Sequence, residues 1–192
     1  MSVQPSLFDP DPAVPGLSFV PHAIGPEGER ACAARIDAAP LEPFKFGQWE
    51  GKRLTAHYGS AYDYQRGRTI PAPPLPDWLT ALRADLAAAL GVETEPFVQA
   101  LLIRYDPGAG IGWHRDRPQY GQVMGLSLGA PAVLRLRRRR ADGGFDRRSV
   151  ELPPRSVYLL DGEVRHEWEH SIAPMDALRR SITFRTLRVP GR

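Results

Sequence analysis

At 192 residues the chain is long enough for one well-buried domain and too short for two ordinary ones. With 42% hydrophobic and 24% charged residues, no apolar run near the roughly 20 residues that span a bilayer, and no basic-then-apolar leader in "MSVQPSLFDPDPAVPG", it reads as a cytoplasmic protein without membrane attachment. Cys32 is the single cysteine, which excludes an intramolecular disulfide, and the net charge of +3 rests almost wholly on arginine, since Lys45 and Lys52 are the only lysines. Arginine pairs bidentately with phosphate and carboxylate, so an anionic partner stays open alongside the plainer explanation of codon usage.

Residues 1–17 are proline-rich and aperiodic, and are expected to form a flexible N-terminal arm ahead of a single domain over 18–192. "GPEGERACAARIDAAP" (25–40) predicts a helix entered after Pro26 and stopped by Pro40. "GKRLTAHYGSAYDYQRGR" (51–68) mixes alternating aromatic and basic residues with glycines, as strands and a mobile loop would. "PLPDWLTALRADLAAALG" (74–91) is the clearest helix: Trp78, Leu79, Leu82, Leu86 and Leu90 recur at three- and four-residue steps, and Gly91 can cap the end. Short strands follow at "FVQALLIRY" (97–105), "MGLSLG", "AVLRLRRR", "RRSVELP", "SVYLLDG" (156–162) and "SITFRTLRV" (181–189), with hairpin turns between. Helices ahead of many short strands predict an α+β protein with a mainly β core, a jelly roll on which the N-terminal helices pack.

Two motifs compete for a metal. "RHEWEH" contains His166-Glu167-x-x-His170, the pattern of a helix-borne zinc protease site. A zincin needs both histidines on one helical face and a third ligand downstream. Past His170 there is no further histidine or glutamate, and a strand with "DG" before and "SIAP" after leave little room for a helix. Upstream, "GIGWHRDRP" places His114 and Asp116 one residue apart, on the same face of an extended segment. With His170 as the distant partner they make a 2-His-1-carboxylate set, which leaves positions open on Fe(II) for a bidentate co-substrate and O2. Arg179 and Arg185, six apart on a strand, also share a face; two inward arginines are costly unless an anion pairs with them, and a dicarboxylate co-substrate would supply one.

In order along the chain, "RYDPGAGIGWHRD", "LSLGAPAVLRL", "SVYLLDGEVRHEWEHSIAP" and "RRSITFR" resemble the AlkB-like Fe(II)- and 2-oxoglutarate-dependent dioxygenases, over about 101–188 and more loosely back to about Phe19. The resemblance implies a double-stranded β-helix fold, with His114, Asp116 and His170 as iron ligands and Tyr105, Arg179 and Arg185 holding 2-oxoglutarate. The H-E-x-x-H is then a coincidence, with His166 and Glu167 as bystanders. Two positions depart from the family pattern: Ile103 replaces an asparagine that contacts 2-oxoglutarate, and Pro118 replaces an acidic residue near the substrate base.

The chemistry so implied is decarboxylation of 2-oxoglutarate to succinate and CO2, with hydroxylation of a C–H bond; an N-hydroxymethyl product then releases formaldehyde. The resemblance points to alkylated single- or double-stranded DNA or RNA, with a protein or other non-nucleic substrate as the alternative. Within the family's lid region, Arg53, Tyr58, Tyr62, Tyr64, Arg66 and Arg68 interleave aromatic faces with arginines, which suits an unstacked base and its phosphates or, equally, a tyrosine-rich packed hairpin. "RLRRRR" (135–140) with Arg147 and Arg148 could supply a phosphate-binding stripe, or be a solvated edge, and Trp113 is expected to point away from His114 and pack in the core. A monomer suffices for all of this, and a non-catalytic binding module would need no intact triad.

Overall fold

The computed structural model describes residues 14–46, 49–63 and 68–188. Their elements run β1 (Leu17–Val20), α1 (Pro26–Asp37), β2 (Glu42–Phe46), β3 (Trp49–Tyr58), β4 (Ser60–Asp63), β5 (Arg68–Pro71) and α2 (Asp77–Leu90). Then come β6 (Phe97–Tyr105), β7 (Ile111–His114), β8 (Tyr120–Gly129), β9 (Ala132–Arg139), β10 (Phe145–Leu152), β11 (Val157–Leu160), α3 (Gly162–His166), β12 (Glu169–Ile172) and β13 (Arg179–Leu187).

Two antiparallel sheets face each other. The major sheet has the order β1-β11-β8-β13-β6-β3-β2 and the minor one β10-β9-β12-β7, while β4 and β5 pair as a separate ribbon. Leu101, Ile103 and Tyr105 of β6 pack between the sheets with Leu134 and Leu136 of β9 and Ile172 of β12. Residues of opposite parity, Ala100, Leu102, Ile182 and Phe184, turn outward onto Ile36 of α1 and Leu79 and Leu86 of α2. β6 is thus buried on both faces, which is why "FVQALLIRY" reads as a nearly continuous apolar run. The expected jelly roll with helices packed on it is the observed architecture, and the helices cover the outer face of the major sheet.

Both long helices form where their residues dictate. α1 has proline in its first turn, Glu27 and Glu29 near its N-terminus and Arg35 near its C-terminus, matching the helix dipole. α2 ends at Gly91, whose φ of 69° makes the left-handed cap that a side chain would disfavour. α1 lies between β1 and β2, so strands and helices interleave at the N-terminus.

Of the arm expected over 1–17, residues 1–13 lie outside the described residues, and residues 14–17 are packed rather than loose. Val14 is buried in the inter-sheet core, Pro15 and Gly16 accept backbone hydrogen bonds from Val164 (3.0 Å) and Asp161 (2.9 Å), and Leu17 pairs with Leu160. The physical reason is an edge: β11 would otherwise leave its ladder unpaired.

Gly125 of β8 stands opposite Tyr158 of β11, and a Cβ there would overlap the Tyr158 ring. Gly125→Ala should therefore destabilise the protein by about 1–3 kcal/mol, as overpacking does, and push that ring toward the cavity described below. Denaturant midpoints would check the first expectation, and a crystal structure of the variant the second.

Candidate metal centre

β7 ends at His114, and the chain continues through Arg115 to Asp116, while β12 delivers His170 from the neighbouring strand. His170 and His114 are direct cross-strand partners in the β12–β7 pair, so their inward side chains meet. Their ring centroids lie 4.3 Å apart, and His170 Nε2 is 3.6 Å from Asp116 Oδ2. Potential ligand atoms of all three lie within 4.8 Å of one another. His114 Nδ1 is 2.9 Å from the Gly112 carbonyl, which can only accept; that ring nitrogen therefore carries the proton, leaving Nε2 free for a metal.

The electrostatics suit a cation. Burial pushes the His170 imidazole down to about 3, helped by His114, so it is neutral near pH 7. Burial also lowers His114, against the pull of Asp116. For Asp116 burial works upward, but Arg185, His170, His114 and Arg165 outweigh it and hold the carboxyl well below the usual carboxylate range. Two neutral imidazoles and one carboxylate, presented together on one side, are the donor set of a facial 2-His-1-carboxylate iron site.

A cavity of about 970 Å³ opens above this cluster between the two sheets. β13 contributes Arg179, Ser181, Thr183 and Arg185 to it, and β6 contributes Gln99, Leu101, Ile103 and Tyr105. Arg185 directs Nε (2.9 Å) and Nη2 (2.8 Å) at Asp116 Oδ1, and Nη1 at Gln99 Oε1 (3.0 Å). Its guanidinium is thus engaged by the metal-site carboxylate itself.

Arg179 contrasts with it. It is 2% exposed, its Nη2 donates to Ser127 Oγ at 3.2 Å, its Nε has no partner, and no carboxylate pairs with it among the described residues. Its guanidinium carbon is 5.0 Å from the Tyr105 ring centre. An uncompensated buried cation beside a phenol, facing a cavity, fits the distal carboxylate of a dicarboxylate. The Ile103 side chain lines the same wall and offers it no hydrogen bond.

The H-E-x-x-H does not form a helical pair. His166 ends α3, a single turn capped by the Asp161 carboxylate, whereas His170 lies on a strand. Glu167 pairs with Arg138 at 3.4 Å.

The substrate candidates divide. Arg53 lines the cavity, its guanidinium 3.9 Å from the Phe44 ring centre. Tyr58 points the other way, onto the core under the helices, because strand alternation separates it from Arg53. Tyr62 and Arg68 sit on the paired strands β4 and β5, in register with Thr69 and Asp63. Tyr64 and Arg66 lie outside the described residues. Trp113 does turn away from His114, but it stacks on Arg137 (4.5 Å) and Arg135 (5.2 Å) rather than entering the core.

Sequence reasoning missed four residues of the cavity. His57 shares the inward face of β3 with Arg53, a parity the alternation could have shown. Gln99 is a fully buried amide inside an apolar run, a signal that was there to read. Arg165 is 3% exposed and donates to the carbonyls of Arg117 (2.8 Å) and Tyr120 (2.7 Å), holding the segment just after Asp116. Tyr158 is pushed up to about 12 by burial. Nothing local in the sequence marks the last two.

A family model described as the 2OG-Fe(II) oxygenase superfamily matches residues 43–189. The chain is 30% identical over 176 residues to a tRNA (carboxymethyluridine(34)-5-O)-methyltransferase, alkbh8, of Xenopus tropicalis, covering 83% of this chain and 25% of that one. It thus spans about a quarter of that relative's length. It is 29% identical over 175 residues to an alpha-ketoglutarate-dependent dioxygenase AlkB homolog of Caulobacter vibrioides, covering 82% and 74%. The solved structure of OsALKBH1 superposes with a TM-score of 0.69 at 14% identity, over 93% of this chain and all of that one, and so shares the fold.

Burial, then Arg185 and Arg53, push His57 down to about 4 from an ordinary value of 6.5, and its Nδ1 is buried without a partner. An unfolded chain therefore binds a proton at His57 that the folded one refuses. Its stability contribution is present above about pH 6.5 and is lost as pH falls toward 4, by up to about 3 kcal/mol. Guanidinium unfolding of the metal-free protein at pH 7.5, 5.5 and 4.5 should show His57→Gln losing less stability than wild type over that span. Equal losses would mean that His57 is not buried as a neutral ring.

Proposed function

The chain belongs to the 2OG-Fe(II) oxygenase superfamily as an AlkB-like dioxygenase, and we propose that it oxidatively demethylates N-alkylated bases in DNA or RNA. Fe(II), 2-oxoglutarate and O2 are its cofactor and co-substrates; once bound they supply the oxidising power, yielding succinate and CO2 as a C–H bond is hydroxylated. The observation that carries the substrate reading is the charge of the cavity: seven arginines line it against the carboxylates Asp116 and Glu169. This surplus of positive over negative side chains favours a polyanionic substrate, and a nucleotide with its phosphates is one. The names of the Xenopus and Caulobacter relatives, one a tRNA-modifying protein and one an AlkB homolog, support the same substrate class.

In this reading the protein's own groups divide the work. His114, Asp116 and His170 hold the iron; Arg185 keeps Asp116 ionised and aimed; Arg179 and Tyr105 receive the distal carboxylate of 2-oxoglutarate. Arg53 and His57 stand on β3 of the same sheet, two strands from Arg185, where they can meet the target nucleotide. None of these residues needs to move a proton for hydrogen abstraction, so no general base is assigned. A hydroxylated N-methyl group then breaks down to formaldehyde and the free base nitrogen without further help.

Succinate formation in the presence of a single-stranded oligonucleotide carrying 1-methyladenine and 3-methylcytosine tests the proposal. Stimulation over the unmethylated strand is expected in a deoxy- or ribonucleotide form, with formaldehyde released in step with succinate. Succinate release indifferent to every alkylated strand would move the substrate to a protein or another non-nucleic molecule. His114→Ala should abolish turnover and leave oligonucleotide binding essentially intact; residual turnover in that variant would remove His114 from the iron site.

Arg179→Met makes a two-sided expectation. Affinity for 2-oxoglutarate should fall about a hundredfold or more, since one partner of a buried charge pair is lost. The co-substrate-free protein should become more stable, because an unpaired buried cation is replaced by an apolar chain. Calorimetric titration and thermal unfolding together check both signs.

A further inference from the structure

The outer face of the minor sheet carries a pattern that meets the cavity only at Trp113 and Glu169. Register places Arg135, Arg137 and Arg139 of β9 opposite Ser149, Arg147 and Phe145 of β10, all pointing away from the core. Glu169 of β12 and Trp113 of β7 complete the face on the other side. Arg137 is sandwiched between the rings of Trp113 (4.5 Å) and Phe145 (4.6 Å), with Arg147 5.5 Å beyond Phe145 and Arg135 5.2 Å from Trp113. The result is an alternating ladder of guanidinium and aromatic planes that ends one residue from His114.

Its charge is only partly compensated. Arg137 pairs with Glu169 at 2.6 Å, but Arg135, Arg139 and Arg147 have no carboxylate partner among the described residues. The second glutamate on this face, Glu151, stands opposite Val133, not an arginine. Arg138, of opposite parity in the same run, is met by three carboxylates, those of Asp146, Glu163 and Glu167. The same strand thus surrounds Arg138 with carboxylates on one face, while on the other only Arg137 meets a carboxylate and Arg135 donates to the Ser171 hydroxyl at 3.0 Å. The helices cover the outer face of the other sheet, and no helix among the described residues closes this one.

We propose that this ladder is a docking track for the single strand flanking the target base, with neighbouring bases extending the stack on the guanidinium planes at its Arg135 and Arg147 ends and phosphates meeting Arg139 and Arg147. The inference rests on the nucleic-acid reading given above and adds where the rest of the strand lies. Stacking reads the π-face common to all bases, and arginine reads phosphate, so the track binds without regard to sequence and accepts either sugar. Part of the "RLRRRR" run is therefore functional by parity: its outward members bind, while Arg138 is structural.

The test compares a trinucleotide with a 12-mer, each centred on the same methylated base, in deoxy and ribo forms. Dissociation constants and KM are measured for wild type, for the double variant Phe145→Ala/Arg147→Ala, and for Arg30→Ala on the exposed side of α1 as a charge control. Wild type should bind the 12-mer about tenfold or more tightly than the trinucleotide. In the double variant that ratio should fall toward one, and the log–log salt slope for the 12-mer should drop by about one. Arg30→Ala should keep the wild-type ratio.

A double variant that retains the length advantage overturns the track, as does an equal loss in Arg30→Ala, which would reduce the effect to net charge. Thermal unfolding matching wild type guards against misfolding, and Arg147→Glu gives a second readout at one exposed position. If no alkylated strand is turned over yet the length advantage still depends on Phe145 and Arg147, the demethylase reading fails and the track stands. If the trinucleotide is turned over and the 12-mer gains nothing in wild type, the track fails and the demethylase reading stands.

Discussion

The pairing of Arg185 with Asp116 is the interaction on which the rest of the site depends. A carboxylate set beside two imidazoles that burial keeps neutral would be driven to protonate without a counter-charge. Arg185 supplies that charge through two nitrogens, and Gln99 fixes the third corner of the guanidinium. Because Arg185 stands on β13, in the middle of the major sheet, while Asp116 follows β7 at the edge of the minor one, the pair also ties the two layers together at the mouth of the cavity. Arg165 secures the same segment from behind by holding the carbonyls of Arg117 and Tyr120.

From this follows a division among the cavity arginines that chemistry alone would not have drawn. Arg185 is already neutralised and serves chiefly to orient a ligand carboxylate. Arg179 is not neutralised, and a buried cation in that state is a standing cost that only an anion relieves. Under the proposed assignment of Arg179, the co-substrate would complete the fold locally as well as take part in the reaction. His57, kept neutral by burial and then by Arg185 and Arg53, adds no charge of its own to a wall that is already cationic.

Much of this was legible in the sequence, for reasons that can be named. Helix periodicity with Gly91 as a stop located α2, and the apolar run 97–105 coincides with β6 to the residue. Even spacing put His114 beside Asp116 and Arg179 beside Arg185 on shared faces, and alternation needs no tertiary knowledge. His170 could be named as the distant partner, and the resemblance agreed, but its pairing directly across from His114 is a matter of register that spacing cannot give. What escaped was set by contacts distant in the chain. The pairing of β1 with β11 ordered residues 14–17, and the placing of Arg165 against carbonyls 45 and 48 residues away left no local trace. Tyr58 was misjudged by a different route: composition grouped it with Arg53, where parity separates the two.

Anaerobic calorimetry of the metal-free protein, titrated first with Fe(II) and then with 2-oxoglutarate, tests the account at its centre. The account predicts one Fe(II) per chain, followed by one 2-oxoglutarate whose affinity depends on the bound metal, with the iron isotherm lost in Asp116→Ala. Iron binding that survives Asp116→Ala unchanged, or 2-oxoglutarate binding indifferent to the metal, would contradict it.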